Sequence, residues 1–188
     1  MLRRNVMGDQ EDRLGGGGTS LVAWLAEHVT SDPRALAWFD EPGCEDRIIR
    51  GYRELLAGYE IDPKTLLKTT RVLDPGEVAG IVEVKDITFF SICAHHFLPF
   101  FGTASVAYIP GERIIGLGKL PRIVDAHARR FRIQEDLTRD IAQLFMEHAG
   151  AKGSRVITEA AHLCMCGRGP SQPSSRTRVE VRLGDFPT

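Results

Sequence analysis

Apolar side chains recur along this chain at two spacings, three to four residues in some stretches and two in others. Ser20 can cap a helix that carries Leu21, Trp24, Leu25 and His28 on one face. Ile48, Ile49, Tyr52, Leu55 and Leu56 predict a second helix near Asp46–Leu56, ending near Gly58. Asp62-Pro63 and Asp74-Pro75-Gly76 break the pattern. From Val78 to Cys93 the chain reads as extended, with Val82 and Val84 between charged neighbours. Ala104, Val106 and Tyr108 alternate with Thr103, Ser105 and Ala107 as a strand, and Pro110-Gly111 turns it into another at Arg113–Leu117. Lys119–Gly150 is the clearest helical stretch. Leu120, Ile123 and Val124 share a face, and after a break near Arg132 the face continues through Ile133, Leu137, Ile141, Leu144 and Phe145. Arg155–Ala161 reads as a strand. In Arg178–Leu183, Val179, Val181 and Leu183 alternate with Arg178, Glu180 and Arg182. Helices, strands, two helices and strands in that order predict an α+β protein with a mostly antiparallel sheet.

Composition sharpens the boundaries. Residues 1–19 are polar, end in Gly15-Gly16-Gly17-Gly18, and read as a flexible tail. Residues 20–75 read as an N-terminal helical region and 76–188 as a sheet-bearing domain. With 24 basic and 25 acidic residues in 188, nothing suggests nucleic acid held on a charged surface. No apolar run approaches the roughly 20 residues that span a bilayer. Polar residues follow Arg3 and Arg4 where a signal peptide needs an apolar core. The expectation is a cytoplasmic protein whose cysteines, Cys44, Cys93, Cys164 and Cys166, are reduced. In that setting cysteines beside histidines point to metal or catalysis.

Cys93-Ala94-His95-His96 sets a thiol and an imidazole three residues apart, and both can reach one Zn²⁺. Cys164 follows the Arg155–Ala161 strand and supplies a third donor. Three protein ligands with one open position describe a catalytic zinc. Cys166 would be a fourth ligand only if the strand ran on through the turn at Gly167, and the expected set is Cys93, His96 and Cys164. His162 shares a strand face with Cys164 and is placed to pass a proton beside the metal. His28, His127 and His148 receive no role. Lys119 and Arg122, three apart at a helix start, suit a polyphosphate, helped by the helix N-terminus with its free N–H groups; Arg168 follows the Cys164 loop. A carboxylate at Glu135 in Gln134-Glu135 can accept two N–H bonds from the guanine edge, although the sequence by itself shows only another glutamate.

Together these segments resemble GTP cyclohydrolase I from about Asp46 to Phe186. The resemblance rests on Val84-Lys85-Asp86-Ile87, Cys93-Ala94-His95-His96, Leu98-Pro99-Phe100, Ala107-Tyr108-Ile109-Pro110, Ile115-Gly116-Leu117-Gly118-Lys119-Leu120, Arg122-Ile123-Val124, Gln134-Glu135-Asp136-Leu137-Thr138 and His162-Leu163-Cys164-Met165. It implies the tunnelling fold: a four-stranded antiparallel sheet with two helices on one face, plus N-terminal helices. It implies a homodecamer of two stacked pentameric barrels with sites between subunits. By position, Cys93, His96 and Cys164 match zinc ligands, and His95 and His162 match proton-transfer histidines. Gln134 and Glu135 match the guanine-recognition pair. Lys119, Arg122 and Arg168 match triphosphate contacts, with Arg47 as a further phosphate arginine. The implied reaction opens the imidazole ring of GTP at C8 while His162 protonates N7. It then releases formate and leads to 7,8-dihydroneopterin triphosphate.

The chain departs from the family pattern at Ala94, where a glutamate is usual, and at Gly118, where a serine is usual. Cys44-Glu45 replaces the Thr-Pro that precedes Arg47. The run Cys166–Pro173 differs, and charged residues at Arg176–Arg182 replace a Ser/Thr-rich strand. The leading expectation is an enzyme of pterin supply. The alternative is a specialised relative acting on GTP or a related purine nucleotide and stopping at a ring-opened intermediate. A non-catalytic decameric binding protein is the third reading, against which the intact ligand set and His162 argue.

Overall fold

The computed structural model describes residues 20–187, so the expected tail at 1–19 lies outside the described residues. The chain divides into two compact units that meet between Tyr52 and Arg53.

In the first unit, α1 spans Leu21–His28, and Ser20 Oγ accepts the Ala23 N–H at 3.2 Å as its cap. The short α2, Pro33–Leu36, starts on Pro33, whose missing N–H costs nothing at that position. Asp32 caps it by accepting the Arg34 N–H at 2.9 Å. The next helix, α3, spans Cys44–Leu55, two residues earlier than the apolar spacing predicts. Glu45 and Asp46 occupy its first turn, where a helix favours negative charge.

The second unit holds two sheets. Strands β1 (Thr69–Val72) and β4 (Arg113–Ile115) form a small antiparallel pair. The strand expected over Arg113–Leu117 therefore stops at Ile115 and lies outside the main sheet. Its end is set where Gly116 turns away, its N–H bonded to Lys68 O at 3.2 Å. The region expected to be helical also contains β1, whose residues are all exposed. The main sheet has the order β5-β2-β3-β6-β7. Its body is the expected antiparallel four: β2 (Val82–Cys93), β3 (Pro99–Ile109), β6 (Gly153–His162) and β7 (Thr177–Gly184). A two-residue β5, Phe131–Arg132, adds in parallel to the end of β2.

Two helices cover this sheet. α4 (Lys119–Ala128) packs on β2, and α5 (Gln134–His148) packs on β6 and β7. Period-two alternation on β3 sends Phe100, Ala104, Val106 and Tyr108 toward the helices, which answer with Leu120, Ile123, Val124, Leu137, Ile141 and Phe145. Each Val, Leu, Ile or Phe among them contributes about 1.5–3 kcal/mol when fully buried. On β2 a bulge lies between Val84 and Ile87, and Asp86 there has φ +55°. The extra residue resets the alternation, so Val82 and Val84 before it and Ile87 and Phe89 after it all face the core.

At Gly102, β3 lies close against β6. A Cβ there would drive into the Glu159 carbonyl oxygen and lie 2.8 Å from the Ala160 Cα. Because these are backbone atoms in a paired strand, neither can move alone. Gly102→Ala should destabilise the fold by about 2 kcal/mol or more, measurable by denaturant unfolding. An unchanged midpoint would refute the close approach.

Candidate active site

Three chain segments converge at one end of the main sheet. β2 ends at Cys93, and a tight turn returns the chain into β3. Cys93 N–H donates to Leu98 O at 2.8 Å and Phe97 N–H to Cys93 O at 2.9 Å, with Phe97 in the left-handed region at φ +57°. β6 ends at His162, and the chain coils directly into a single turn, α6 (Leu163–Cys166). The register sets Phe100 opposite both Ser91 on β2 and His162 on β6, so the ends of β2 and β6 flank the start of β3.

This topology gathers Cys93, His96 and Cys164, whose ligand atoms all lie within 4.8 Å of one another. Cys93 Sγ is 3.7 Å from His96 Nδ1. Both thiols are buried and the imidazole is exposed, so the cluster has a closed side and an open side. Burial pushes the Cys164 thiol up, the neighbouring Cys93 adds to this, and Arg168 opposes it more weakly. Two adjacent buried thiols need a cation to hold them as thiolates. Two sulfurs and one imidazole, without a carboxylate, suit a borderline-soft divalent ion. These residues can therefore hold a metal. Cys166, two residues on, turns elsewhere: its Sγ contacts Pro173 O at 3.9 Å.

His95 is exposed and sits edge-on to His96, ring centroids 6.1 Å apart. His162 stacks flat on Phe100 at 4.6 Å and 3°. Its Nε2 lies 2.7 Å from Gln134 Oε1 at the start of α5. Burial pulls His162 below its ordinary pKa, and the nearby Glu135 carboxylate partly opposes the shift. Glu135 is exposed while Gln134 is 1 % exposed, so adjacent residues in one helical turn point to opposite environments.

Lys119 and Arg122 stand in the first turn of α4. The expected free N–H groups are not all there. Lys119 N–H donates to Gly116 O at 2.8 Å and Leu120 N–H to Leu117 O at 3.2 Å, and Pro121 has none. Anion binding at this end must rest on the two side chains and on the helix dipole. Arg47 belongs to α3 in the first unit, where Glu41 lies 3.9 Å from its guanidinium.

Phe100, Thr138 and Thr158, which surround Gln134 and His162, were not singled out as functional by the sequence. The markers Leu98-Pro99-Phe100 and Gln134–Thr138 held the signal for Phe100 and Thr138, and its use depended on the β3–β6 register. A cleft of about 1090 Å³ between residues 72–78, 111–113 and 149–152 contains none of the residues above. Donor chemistry, rather than concavity, marks this site.

The GTP cyclohydrolase I family model matches residues 27–188. A protein from Campylobacter lari named GTP cyclohydrolase 1 is 44% identical over 140 residues, 74% of this chain and 73% of the relative. One of the same name from Bifidobacterium longum is 46% identical over 169 residues, 89% and 82% of the two chains. Another, from Chlorobaculum tepidum, is 38% identical over 180 residues, 96% and 78%. The crystal structure of the archaeosine synthase QueF-Like in the apo form overlays with a TM-score of 0.46 at 18% identity, covering 59% of this chain and all of that one, too loosely to bear on function.

Proposed function

The chain belongs to the GTP cyclohydrolase I family, and from that premise we propose that it hydrolyses the imidazole ring of GTP at C8, using zinc held by Cys93, His96 and Cys164. The gathering of these three donors within 4.8 Å of one another, beside His162, is the observation that carries this reading. Zinc bound there supplies a Lewis acid that makes water nucleophilic near neutral pH. The chain's own residues do the rest. Glu135 accepts the N1 and 2-amino N–H groups of guanine and fixes the base. His162 passes a proton to N7 as the C8–N bond opens. Lys119, Arg122 and Arg168 hold the triphosphate with charge-assisted bonds, and Arg47 is a further candidate. His95, exposed beside the cluster, serves proton transfer in the later steps. Loss of formate and reclosure give 7,8-dihydroneopterin triphosphate.

Thiolate ligands require a reducing compartment, and we place the protein in the cytoplasm. Among the described residues no helix is long and apolar enough to cross a membrane. Among the described residues, the outer edge of β7 and most of the outer edge of β2 carry no strand partner. Edge pairing between copies would satisfy both, and we propose a decamer of two pentameric rings.

A second reading has a specific observation behind it. Gly118 has negative φ, and a Cβ added there meets nothing within 4 Å. Packing therefore does not demand glycine at the position where the family resemblance implies serine. Ala94 is exposed in place of the usual glutamate. Both changes remove polar groups that the steps after ring opening would use, so we propose that those steps are slowed. Zinc-loaded protein incubated with GTP, with products identified by mass, tests both readings. Release of formate is expected, with a ring-opened formamide or deformylated diaminopyrimidine preceding any pterin. Ala94→Glu with Gly118→Ser should raise pterin yield more than C8 hydrolysis. Conversion to pterin without a detectable open species would make both departures neutral. No loss of GTP would overturn the proposed function.

A further inference from the structure

Gln134 is almost wholly buried, and every polar atom of its side chain is engaged inside the protein. Its Nε2 lies 3.1 Å from Thr158 O, 3.0 Å from Thr158 Oγ1 and 3.1 Å from Thr177 O. Thr138 Oγ1 donates to Gln134 O at 2.7 Å and sits 2.7 Å from Thr158 Oγ1, which braces the same group. Carbonyl oxygens only accept, so the amide NH₂ must face Thr158 and Thr177 on β6 and β7. The amide oxygen is then left to face His162, 2.7 Å away. An amide oxygen also only accepts, so His162 Nε2 must carry the hydrogen. Phe100 stacked beneath the ring removes the remaining freedom to tilt. Both amide hydrogens are committed to the strands, and at 1 % exposure the oxygen's second lone pair is closed off from a purine edge.

We propose that Gln134 is a positioning residue: it fixes the ring of His162 with its hydrogen on Nε2, leaves Nδ1 as the atom that exchanges a proton with the nucleotide, and does not itself contact guanine. The amide works like a keyed socket cut by two strand carbonyls, because reversing it would set NH₂ against the N–H of the histidine and oxygen against oxygen. Guanine recognition then falls to Glu135 alone of the pair. This role rests on the GTP hydrolysis proposed above.

The full-length zinc-loaded protein tests it through Gln134→Met, His162→Ala and the double variant, with kcat and the equilibrium dissociation constant for GTP measured for each. Gln134→Met should lower kcat by about tenfold or more while GTP affinity stays within about twofold and zinc stays at one per chain. In the His162→Ala background the same change should cost less than about twofold, because the group through which it acts is gone. Gln134→Glu keeps an acceptor for His162, and its buried carboxyl, protonated, restores one donor toward the strand carbonyls. It should recover part of the lost kcat, and it serves in place of Gln134→Met if that variant does not fold. Weakened GTP binding that accounts for the loss, in either variant, would overturn the proposal, as would an undiminished effect of Gln134→Met without His162. Absence of GTP turnover in the unsubstituted chain would overturn the proposed function and this role together. Turnover accompanied by a GTP-affinity defect overturns only the role.

Discussion

Cys164→Ala is expected to leave a folded chain that no longer retains zinc and whose GTP turnover has fallen by about a thousandfold or more. Changes outside the ligand set typically cost 10–100-fold in metal affinity, and removing one of three donors costs more. The small size of the change makes the test clean. Cys164 lies on the single turn of α6, at the rim of the core, and alanine replaces only its sulfur. Cys166→Ala is the matched control, since Cys166 turns toward Pro173 and lies outside the three-residue cluster. Metal analysis after dialysis, run beside unfolding curves, reads both outcomes. Zinc retained at one per chain in Cys164→Ala would sink the assignment of the centre. Zinc lost from Cys166→Ala would mean that the cluster has a fourth member.

Glu135→Gln should reduce kcat/KM for GTP by about a hundredfold or more and collapse the preference for guanine. A carboxylate offers two acceptors to the two parallel donors of guanine, and charge assistance makes these bonds strong. Glutamine keeps the shape but turns one acceptor into a donor, which then opposes a donor on the base. Sites built around such pairing discriminate by several kcal/mol, because the wrong partner leaves a desolvated group unmatched. Comparison of GTP with inosine triphosphate, which lacks the 2-amino group, isolates one of the two bonds. The unsubstituted protein should prefer GTP strongly, and the variant should hardly distinguish them. Undiminished preference in the variant would move recognition away from Glu135.

The two covering helices and the outer strands were legible because their apolar spacing survives into the fold. Leu120, Ile123 and Val124 share the buried face of α4 as their spacing requires, and β7 alternates from Thr177 onward. The break near Arg132 marks the passage through β5 into α5. Strand β3 begins several residues before its readable alternation, since Pro99 and Gly102 look like breakers until β6 is seen pressed against them. Strand β1 carried no signal: it buries nothing and exists through its pairing with β4. At the candidate site, the donors Cys93, His96 and Cys164 announce themselves by chemistry. The environment of Gln134 does not. Its partners are largely backbone carbonyls of β6 and β7, and no residue type records where a carbonyl will point.

The placement of the three donors has a thermodynamic side. Cys93 ends β2 and His96 follows it, Cys164 follows β6, and β3 runs between those strands, so a bound ion would close a loop of about seventy residues across the end of the sheet. Closing such a loop in the open chain would cost conformational entropy, so the donors come together only once the sheet has formed. An ion that binds the native arrangement and not the open chain makes folding subject to mass action, each tenfold rise in free zinc above its dissociation constant adding about 1.4 kcal/mol. The durability of the protein is then a property shared with its surroundings. Two cells holding identical chains but different zinc buffers would hold proteins of different lifetime.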